Sequence, residues 1–409
     1  MNRMISIGLS GLAFMGAGFM AVTGLAPGGE LVSPCGAAEG PAEFRVLAPI
    51  ESGNLLLFPV VRSSKPLAST PFLTLDEGIK TGQVEVTEAG NVRGLVRPRP
   101  SIPYDGPYRP APTPQHQPYR GDQVNTLVLV NNSNKPLLLL AGEIVTGGKQ
   151  DRVIAKDRIV PPSGDPVDLG VFCIEPGRWT ENSATFAASA GNSAGGFMVQ
   201  PKVREKAMVM KDQHEVWNSV NDSVTQMAVV AGAPASPGGL HGTPRTLNTT
   251  SYARAMQDSN VSAKVDEAAA PVMKSREQVL AQLRQQHAVG VVVAVHGEIV
   301  WADIFADTDL LARYWTKLVR SYAAESLLPG DTHAQPSLSD AQHFLDAPSG
   351  GTETSEGSVG VYRFRELRSG STETFVLESL LPGTGYEVHI SKLMLRGEFR
   401  RTAAPEVYR

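Results

Sequence analysis

The chain has 409 residues, which is enough for two ordinary domains or for one large domain with insertions. Hydrophobic residues make up 42% and charged residues 19%, a balance that excludes wholesale disorder and a polytopic membrane protein. The net charge of −4 leaves no basic stripe, which argues against nucleic-acid binding. The two cysteines, Cys35 and Cys173, are too few for a disulfide framework.

The beginning of the chain has the pattern of a targeting segment. Residues 1–26 carry one positive charge, Arg3, in front of an apolar run rich in glycine, alanine and methionine. This pattern is typical of a secretory signal peptide, and an uncleaved single-pass anchor is the alternative. Residues 27–45 predict a flexible tether, where Cys35 is a candidate lipidation site that the preceding Pro34 disfavours. We therefore expect a periplasmic or secreted protein, with membrane attachment through the N-terminus as the second interpretation.

Apolar and alternating runs predict strands along most of the chain, and turn-forming residues separate them. The predicted strands are Asn54–Val61, Gln83–Glu88, Thr126–Val130, Leu137–Leu140, Arg152–Ala155, Val167–Ile174, Val289–Val295, Ile299–Phe305, Val359–Arg365, Thr374–Leu380 and Tyr386–Leu395. The two strands on either side of the His296-Gly297-Glu298 turn form the clearest hairpin, because β-branched residues fill the first of them.

Helical spacing of apolar residues appears in four segments. These segments are Leu75–Ile79, Val203–Val224, Ser275–His287 and Thr308–Tyr322. Thr74, Ser275 and Asp307 have the side chains of helix caps, and Trp217 falls on the buried face of the second segment. Strands and helices together predict the α+β class, with a β-rich, mostly antiparallel sheet core and three or four packed helices.

One domain with insertions accounts for most of the chain. We place it at residues 46–396, followed by a tail at residues 397–409. Residues 97–121 are dense in proline with interleaved tyrosines, which predicts an exposed polyproline-like insertion or a docking ligand for an aromatic groove. Residues 232–270 have little periodicity and predict a flexible insertion. Loops are also expected at residues 181–196 and 350–357, which are rich in small and polar residues.

Polar residues that packing does not explain follow three of the strand-like runs. Glu143 follows Ala141 and Gly142, a second group follows the Gly147-Gly148 turn, and a third follows the run that carries Cys173. The second group is Lys149, Gln150 and Arg152, and the third is Glu175, Arg178 and Trp179. Because strand ends backed by a sheet hold side chains rigidly, we expect these groups to converge on one site.

The same stretches carry a family resemblance. Ala141–Glu143, Lys149–Arg152 and Cys173–Trp179 resemble the signature of the ARG and rhodanese-phosphatase-superfamily-associated protein (ARPP-type) domain. The likeness extends to Leu73–Glu88, Gln213 with Val216-Trp217, and the later hairpin and helix, and it covers about residues 46–396. The resemblance implies association with ADP-ribosylglycohydrolases and rhodanese-phosphatase proteins, and hence processing of a nucleotide or of ADP-ribose. It implies no defined reaction.

The leading functional hypothesis is a binding module for a small anionic ligand. Arg152 and Arg178 would act as charge clamps beside Lys149, Gln150 would orient the ligand, and Trp179 would stack on it. Guanidinium forks match phosphate and carboxylate groups in shape as well as in charge.

Two other classes of function stay open. The first is a hydrolase of a nucleotide- or ADP-ribose-like substrate, with Glu143 or Glu175 as general base and Cys173 as a candidate nucleophile. The second is a structural envelope protein, in which the two glutamates pair with Arg152 and Arg178 and the proline-tyrosine segment at residues 97–121 docks a partner. The sequence leaves open whether the protein is an enzyme.

Cofactor and metal motifs give no positive signal. The sequence has no Walker loop, no Rossmann glycine fingerprint, no Gly-x-Ser-x-Gly elbow and no closely spaced histidine pair, so we predict no metal and identify no cofactor. A metal site built from Glu143, Glu175 and a distant His296 or His389 is the remaining alternative.

Overall fold

Eighteen strands form three sheets in the computed structural model, which describes residues 43–63, 72–94, 125–189, 196–232, 247–273, 276–331, 333–349 and 351–395. The first twelve strands are β1 Phe44–Val46, β2 Ile50–Ser52, β3 Leu55–Arg62, β4 Leu73–Thr74, β5 Val84–Glu88, β6 Thr126–Asn131, β7 Leu137–Leu139, β8 Ile144–Gly147, β9 Arg152–Ile154, β10 Arg158–Val160, β11 Pro166–Cys173 and β12 Phe186–Ala188. The others are β13 Ala288–Val295, β14 Glu298–Phe305, β15 Thr352–Ser358, β16 Tyr362–Ser369, β17 Thr372–Ser379 and β18 Glu387–Met394.

The largest sheet has nine strands, and all of its pairings are antiparallel. Its order is β1-β3-β13-β14-β18-β17-β16-β15, with β2 also paired to β3. In this order β3 lies beside the β13–β14 hairpin, and β14 pairs with β18 in the middle of the sheet. Every residue of β13 is buried, as the unbroken apolar run predicts for a strand covered on both faces.

A six-stranded antiparallel sheet holds the motif residues. Its order is β12-β8-β9-β11-β6-β5. Arg152 on β9 lies directly opposite Cys173 at the end of β11, so pairing of strands brings the second and third polar groups together. A three-stranded sheet with the order β10-β7-β4 completes the β structure.

Eight α-helices occur in the described part of the chain, more than the three or four predicted. They are α1 Leu75–Lys80, α2 Pro201–Glu205, α3 Gln213–Val230, α4 Tyr252–Gln257, α5 Ser259–Met273, α6 Arg276–Gln285, α7 Thr308–Ser326 and α8 Leu338–Asp346. The sheets are mostly antiparallel and the helices pack on them, so the protein is α+β as predicted. On the nine-stranded sheet, α7 packs against β13 and β3 on one face, and α8 packs near β1 and β14 on the other.

The predicted caps of two helices are confirmed by their hydrogen bonds. Thr74 and Glu77 form a reciprocal capping box at α1, and the Asp307 side chain accepts a bond from the Leu310 amide, 2.7 Å away, at the start of α7. The predicted cap Ser275 lies outside the described residues. Each observed cap fixes the first turn of a helix that contributes a side chain, Asp76 from α1 or Lys317 from α7, to the Glu143 cluster described below.

Several predicted loops are wrong in the parts that the structure describes. Residues 252–273 form α4 and α5, and both helices have buried faces, whereas we expected a flexible insertion at residues 232–270. Strand β12 lies within the predicted loop at 181–196, and β15 overlaps all but the first two residues of the predicted loop at 350–357. In all of these segments, small or polar residues hid the periodicity, and contacts with other elements supply the stabilisation.

The predicted helix from Val203 to Val224 is interrupted. After α2 the chain makes a π-helical turn at Lys206–Met210, and Lys211 adopts a left-handed backbone with φ of 53° before α3 begins. The proline-rich segment at 97–121, the leader at 1–26 and the tail at 397–409 lie outside the described residues. Among the helices that are described, none has the length and apolar character needed to cross a membrane.

Candidate functional site

The Arg178 side chain closes the turn between β8 and β9. Its Nη1 donates to the carbonyl oxygens of Gly148, 3.0 Å away, and Thr180, 2.8 Å away. Its Nη2 lies 2.5 Å from Oε2 of Glu175 and 3.4 Å from the carbonyl oxygen of Gly147. Burial works against the charge, but the Glu175 carboxylate outweighs it and raises the pKa of Arg178. The guanidinium predicted as a ligand clamp is therefore used to hold the protein's own backbone.

Gln150 and Glu175 also act within the protein. The Gln150 amide donates from Nε2 to the Glu175 carbonyl oxygen, 3.2 Å away, and the Asp151 amide donates to Oε2 of Glu175, 3.1 Å away. Asp151 in turn accepts a bond from the Ser251 hydroxyl, 2.6 Å away, and burial raises the pKa of this carboxyl. These bonds join the second and third polar groups, as predicted, but they direct Gln150 and Glu175 inward.

Arg152 is a buried cation at the base of this cluster. It is fully buried on β9, and its Nη2 lies 4.0 Å from Oε1 of Glu88. The same glutamate oxygen accepts a bond from the backbone amide of Lys149, 2.8 Å away. Burial lowers the pKa of Arg152, while the charges of neighbouring groups, Glu88 among them, favour the cation. A positive charge is thus held in a fixed position just behind the Gly147-Gly148 turn.

Cys173 is a buried thiol with a locked backbone. Its amide donates to Oε1 of Gln213 and its carbonyl accepts from Nε2 of the same side chain, both at 2.9 Å. The side chain has no exposed surface, and burial raises its pKa. A thiol with a raised pKa and no access to solvent is not an activated nucleophile, so the predicted nucleophilic role gains no support from this geometry.

One part of the cluster faces solvent. Trp179 is 46% exposed, the Nζ of Lys149 lies 5.1 Å from the centroid of its ring, and Cζ of Arg152 lies 5.9 Å from the same centroid. We call these three residues the Trp179 surface. It combines an exposed aromatic face with two cations, one partly exposed and one buried.

Glu143 belongs to a different cluster. Its Oε1 lies 2.6 Å from Nζ of Lys317 on α7, and its Oε2 accepts a bond from the Leu140 amide, 2.8 Å away. The same ammonium group lies 2.7 Å from Oδ2 of Asp76 on α1. Burial raises the pKa of Glu143, and the two carboxylates outweigh burial to raise the pKa of Lys317. The expectation of one site for all the motif residues is therefore wrong for Glu143, because its cation comes from α7.

Sequence reasoning missed a third cluster, which is wholly buried. Asp303 on β14 accepts bonds from Arg204, 2.8 Å away, and from the Tyr322 hydroxyl, and its Oδ1 lies 3.2 Å from Nε2 of His389. The other ring nitrogen of His389 lies 2.6 Å from Oδ2 of Asp157. Burial opposes the imidazolium, but the two aspartates outweigh it and raise the pKa of His389 to about 9.

A sequence signal for this third cluster existed. Asp303 and His389 are polar residues inside predicted strands, and each has an apolar residue directly before and after it in the sequence. A charged residue inside a strand that is buried on both faces must find a partner of opposite charge, because isolated buried charges are too costly. Neither the identity nor the distance of the partner can be obtained from this signal.

The alternative of a metal site finds no support in the described part of the chain. No group of three or more histidine, cysteine, aspartate or glutamate side chains there is arranged to hold a metal ion. His389 belongs to the buried cluster around Asp303, and Nε2 of His296 lies 2.8 Å from the carbonyl oxygen of Leu328. Glu143 and Glu175 lie in two further clusters.

The fold and these clusters define an α+β protein with a polar strand-end cluster at the end of its six-stranded sheet. The family model described as "ARG and Rhodanese-Phosphatase-superfamily-associated Protein domain" (ARPP-1) matches residues 43–393, so the chain belongs to this family. The predicted resemblance is thus confirmed, and the matched range is close to the predicted domain at 46–396. No curated protein and no solved structure gives a match.

Proposed function

We propose that the protein binds a small anionic ligand with a planar ring, of the nucleotide or ADP-ribose type, at the Trp179 surface. The observation that carries this proposal is the exposed indole of Trp179 with Lys149 and Arg152 within 6 Å of its centroid. An exposed tryptophan beside cations gives a ligand a stacking face and a positive potential at the same place.

The three side chains would have separate roles. Trp179 stacks on the base or ring, the partly exposed Lys149 contacts a phosphate as a mobile point charge, and the buried Arg152, paired with Glu88, supports the indole ring from below. Arg178 and Gln150 keep the turn in shape and do not touch the ligand, because their bonds are made within the protein. The ligand chemistry also agrees with the ADP-ribose association that the family description implies.

Binding is favoured over hydrolysis by the state of the candidate catalytic groups. Glu143 is fully buried against Lys317, Glu175 is paired with Arg178, and the Cys173 thiol is buried with a raised pKa. A general base needs a carboxylate within reach of substrate, and a nucleophilic cysteine needs a thiolate. Hydrolysis at these residues and a role as a structural envelope protein are the alternatives.

Export belongs to the same proposal. The leader pattern of residues 1–26 supports a periplasmic or secreted protein, with an N-terminal membrane anchor as the alternative, and the proline-tyrosine segment at 97–121 could dock a partner protein. Fractionation of cells that express the chain with a C-terminal tag, beside a variant that lacks residues 2–26, tests the location. Export predicts the full chain outside the cytoplasm and the truncated variant within it.

Tryptophan fluorescence tests binding directly. Stacking of an adenine ring on Trp179 should quench emission during titration with ADP-ribose, ADP or AMP, whereas ribose 5-phosphate, which has no base, should bind more weakly. Two of the other tryptophans, Trp301 and Trp315, are almost fully buried, so subtraction of the Trp179→Phe signal isolates the residue.

Variants separate specific binding from a general attraction of anions. Trp179→Ala and Lys149→Gln should each weaken binding by about tenfold, equivalent to about 1.4 kcal/mol. Lys80→Gln is the matched control, because this exposed lysine lies on α1, outside the cluster. The proposal would be wrong if all three nucleotides failed to bind, or if the Lys80 and Lys149 variants lost affinity equally.

A further inference from the structure

A cavity lies between the six-stranded and nine-stranded sheets, and its lining shares no residue with the Trp179 surface. It has a volume of about 230 Å³. Its inner wall is formed by Phe172, Met208, Phe364 and Phe375, and we call it the phenyl pocket. All four side chains are buried, so the pocket continues the hydrophobic core towards the surface.

The phenyl rings come from both sheets. Phe364 on β16 and Phe375 on β17 stack with centroids 5.9 Å apart and planes inclined by 19°. Phe172 on β11 belongs to the other sheet. Flat apolar walls of this kind favour a flat or branched apolar group over a hydrated one.

Two ion pairs cross the mouth of the phenyl pocket. Nζ of Lys156 lies 2.5 Å from Oε1 of Glu356, and Nζ of Lys211 lies 2.6 and 2.7 Å from the two carboxylate oxygens of Glu366. Both glutamates come from the nine-stranded sheet, and both lysines come from the opposite wall. One wall of the mouth is therefore cationic and the other anionic. Such exposed pairs contribute little to folding and separate readily.

The backbone beside the mouth is irregular. Met208 lies in the π-helical turn Lys206–Met210, and Lys211 follows it with its left-handed backbone. Short π-helical segments inside helical runs occur frequently at functional sites, and a left-handed lysine carries a conformational cost. This irregularity places the Lys211 ammonium at the mouth, opposite Glu366.

From these features we propose that the phenyl pocket binds a free amino acid or a close analogue with an aromatic or branched apolar side chain. The apolar group enters the cavity, whose lining includes Phe172, Phe364 and Phe375. The ligand carboxylate then faces the lysine wall, and its ammonium group faces the glutamate wall. A zwitterion replaces the attraction within a pair that it separates, whereas a ligand with a single charge leaves one partner uncompensated.

Thermal unfolding of the full chain with added L-phenylalanine and L-leucine tests this assignment. Ligand that binds only the folded state raises Tm with a saturable dependence on concentration. Phenylacetate lacks the ammonium group and phenethylamine lacks the carboxylate, so each should bind at least about tenfold more weakly than phenylalanine. Equal shifts with either of these two compounds would overturn the zwitterion assignment.

A glycine at the pocket provides a blocking variant. Gly170 lines the pocket, and a Cβ built there meets no atom within 4 Å, so a side chain can start at this position, and Gly170→Leu is chosen to fill the pocket. Gly385→Leu is the matched control, because this glycine also has open space around its Cβ and lies outside the pocket. We expect Gly170→Leu to abolish the Tm shift and Gly385→Leu to retain it.

Charge variants test the mouth itself. Lys211→Gln and Glu366→Gln should each reduce affinity for phenylalanine, while Trp179→Ala should leave it unchanged, which separates this site from the proposed nucleotide site. The proposal would be overturned if neither amino acid shifted Tm, if Gly170→Leu retained the shift, or if Trp179→Ala removed it.

Discussion

Nη2 of Arg178 lies 2.5 Å from Oε2 of Glu175, three residues earlier in the chain, and both side chains are largely buried. The pair connects the end of β11 to the Gly147-Gly148 turn, because the same guanidinium also binds the two glycine carbonyls. Trp179 is the next residue. The position of the exposed indole therefore depends on an ion pair that is itself shielded from solvent.

Replacing Arg178 with alanine should destabilise the fold. The change removes the guanidinium from Glu175 and from three carbonyl groups, those of Gly147, Gly148 and Thr180, so we expect the free energy of unfolding to fall by about 3 kcal/mol. Urea denaturation measures the change. Arg284→Ala is the control, because Arg284 pairs with Asp309 between exposed side chains and should contribute less than about 1 kcal/mol. Equal losses in the two variants would contradict the assigned role of Arg178.

Local patterns predicted the elements whose stabilisation is local. The β13–β14 hairpin and helix α7 were found because β-branched residues fill one strand, His296-Gly297 makes the turn, and Asp307 caps the helix. The pairing of Glu175 with Arg178, only three residues apart, was among the predicted alternatives as well.

Elements stabilised by distant contacts could not be predicted in the same way. Helix α5 is rich in alanine and contains Pro271, yet Val261 and Val265 on its buried face pack into the main core. Strand β15 could not be predicted for a different reason: every residue of Thr352–Ser358 is exposed, so the strand has no apolar pattern, and its pairing with the neighbouring strand β16 defines it. The partner of Glu143 is Lys317, 174 residues away, and no spacing rule connects the two.

Alkylation of Cys173 should be slow in the native protein. The thiol is buried and its pKa is raised, so iodoacetamide must wait for an opening of the structure. In a Cys35→Ser background, which leaves one thiol, we expect the rate at neutral pH to rise by roughly 100-fold or more in urea. Mass spectrometry follows the reaction. Rapid labelling without denaturant would instead support the nucleophile hypothesis.

Because of the buried imidazole of His389, the free energy of unfolding should fall at alkaline pH. Its pKa rises from 6.5 to about 9 on folding, so its contribution is complete below pH 6.5 and is lost as pH rises through about 9. The loss should be on the order of 3 kcal/mol. Unfolding free energies measured from pH 6 to 10 test this, and the His389 ring should titrate by NMR near pH 9 in the folded state. A midpoint near 6.5 would be incompatible with the Asp157 and Asp303 contacts.

Lys392 has the opposite effect on how the free energy of unfolding changes with pH, so its contribution must be measured separately from that of His389. Burial lowers its pKa from 10.5 to about 8, so its charged form costs stability below pH 8, and that cost disappears as pH rises towards 10.5. A Lys392→Met variant removes this contribution. We expect the alkaline loss of stability to be steeper in the variant than in the wild type. An unchanged slope would mean that Lys392 is not desolvated.

Replacing Lys317 alone should destabilise the fold more than replacing Lys317 and Glu143 together. Lys317→Met leaves two carboxylates, Glu143 and Asp76, facing each other without a cation, so we expect a loss of about 3–5 kcal/mol. Adding Glu143→Gln removes the buried charge and should recover part of that loss. A double-mutant cycle in urea measures the coupling, and Lys264→Met, in an exposed pair with Glu267, should leave the denaturation midpoint unchanged. Additive losses for Lys317 and Glu143 would show that their contact is not what stabilises this cluster.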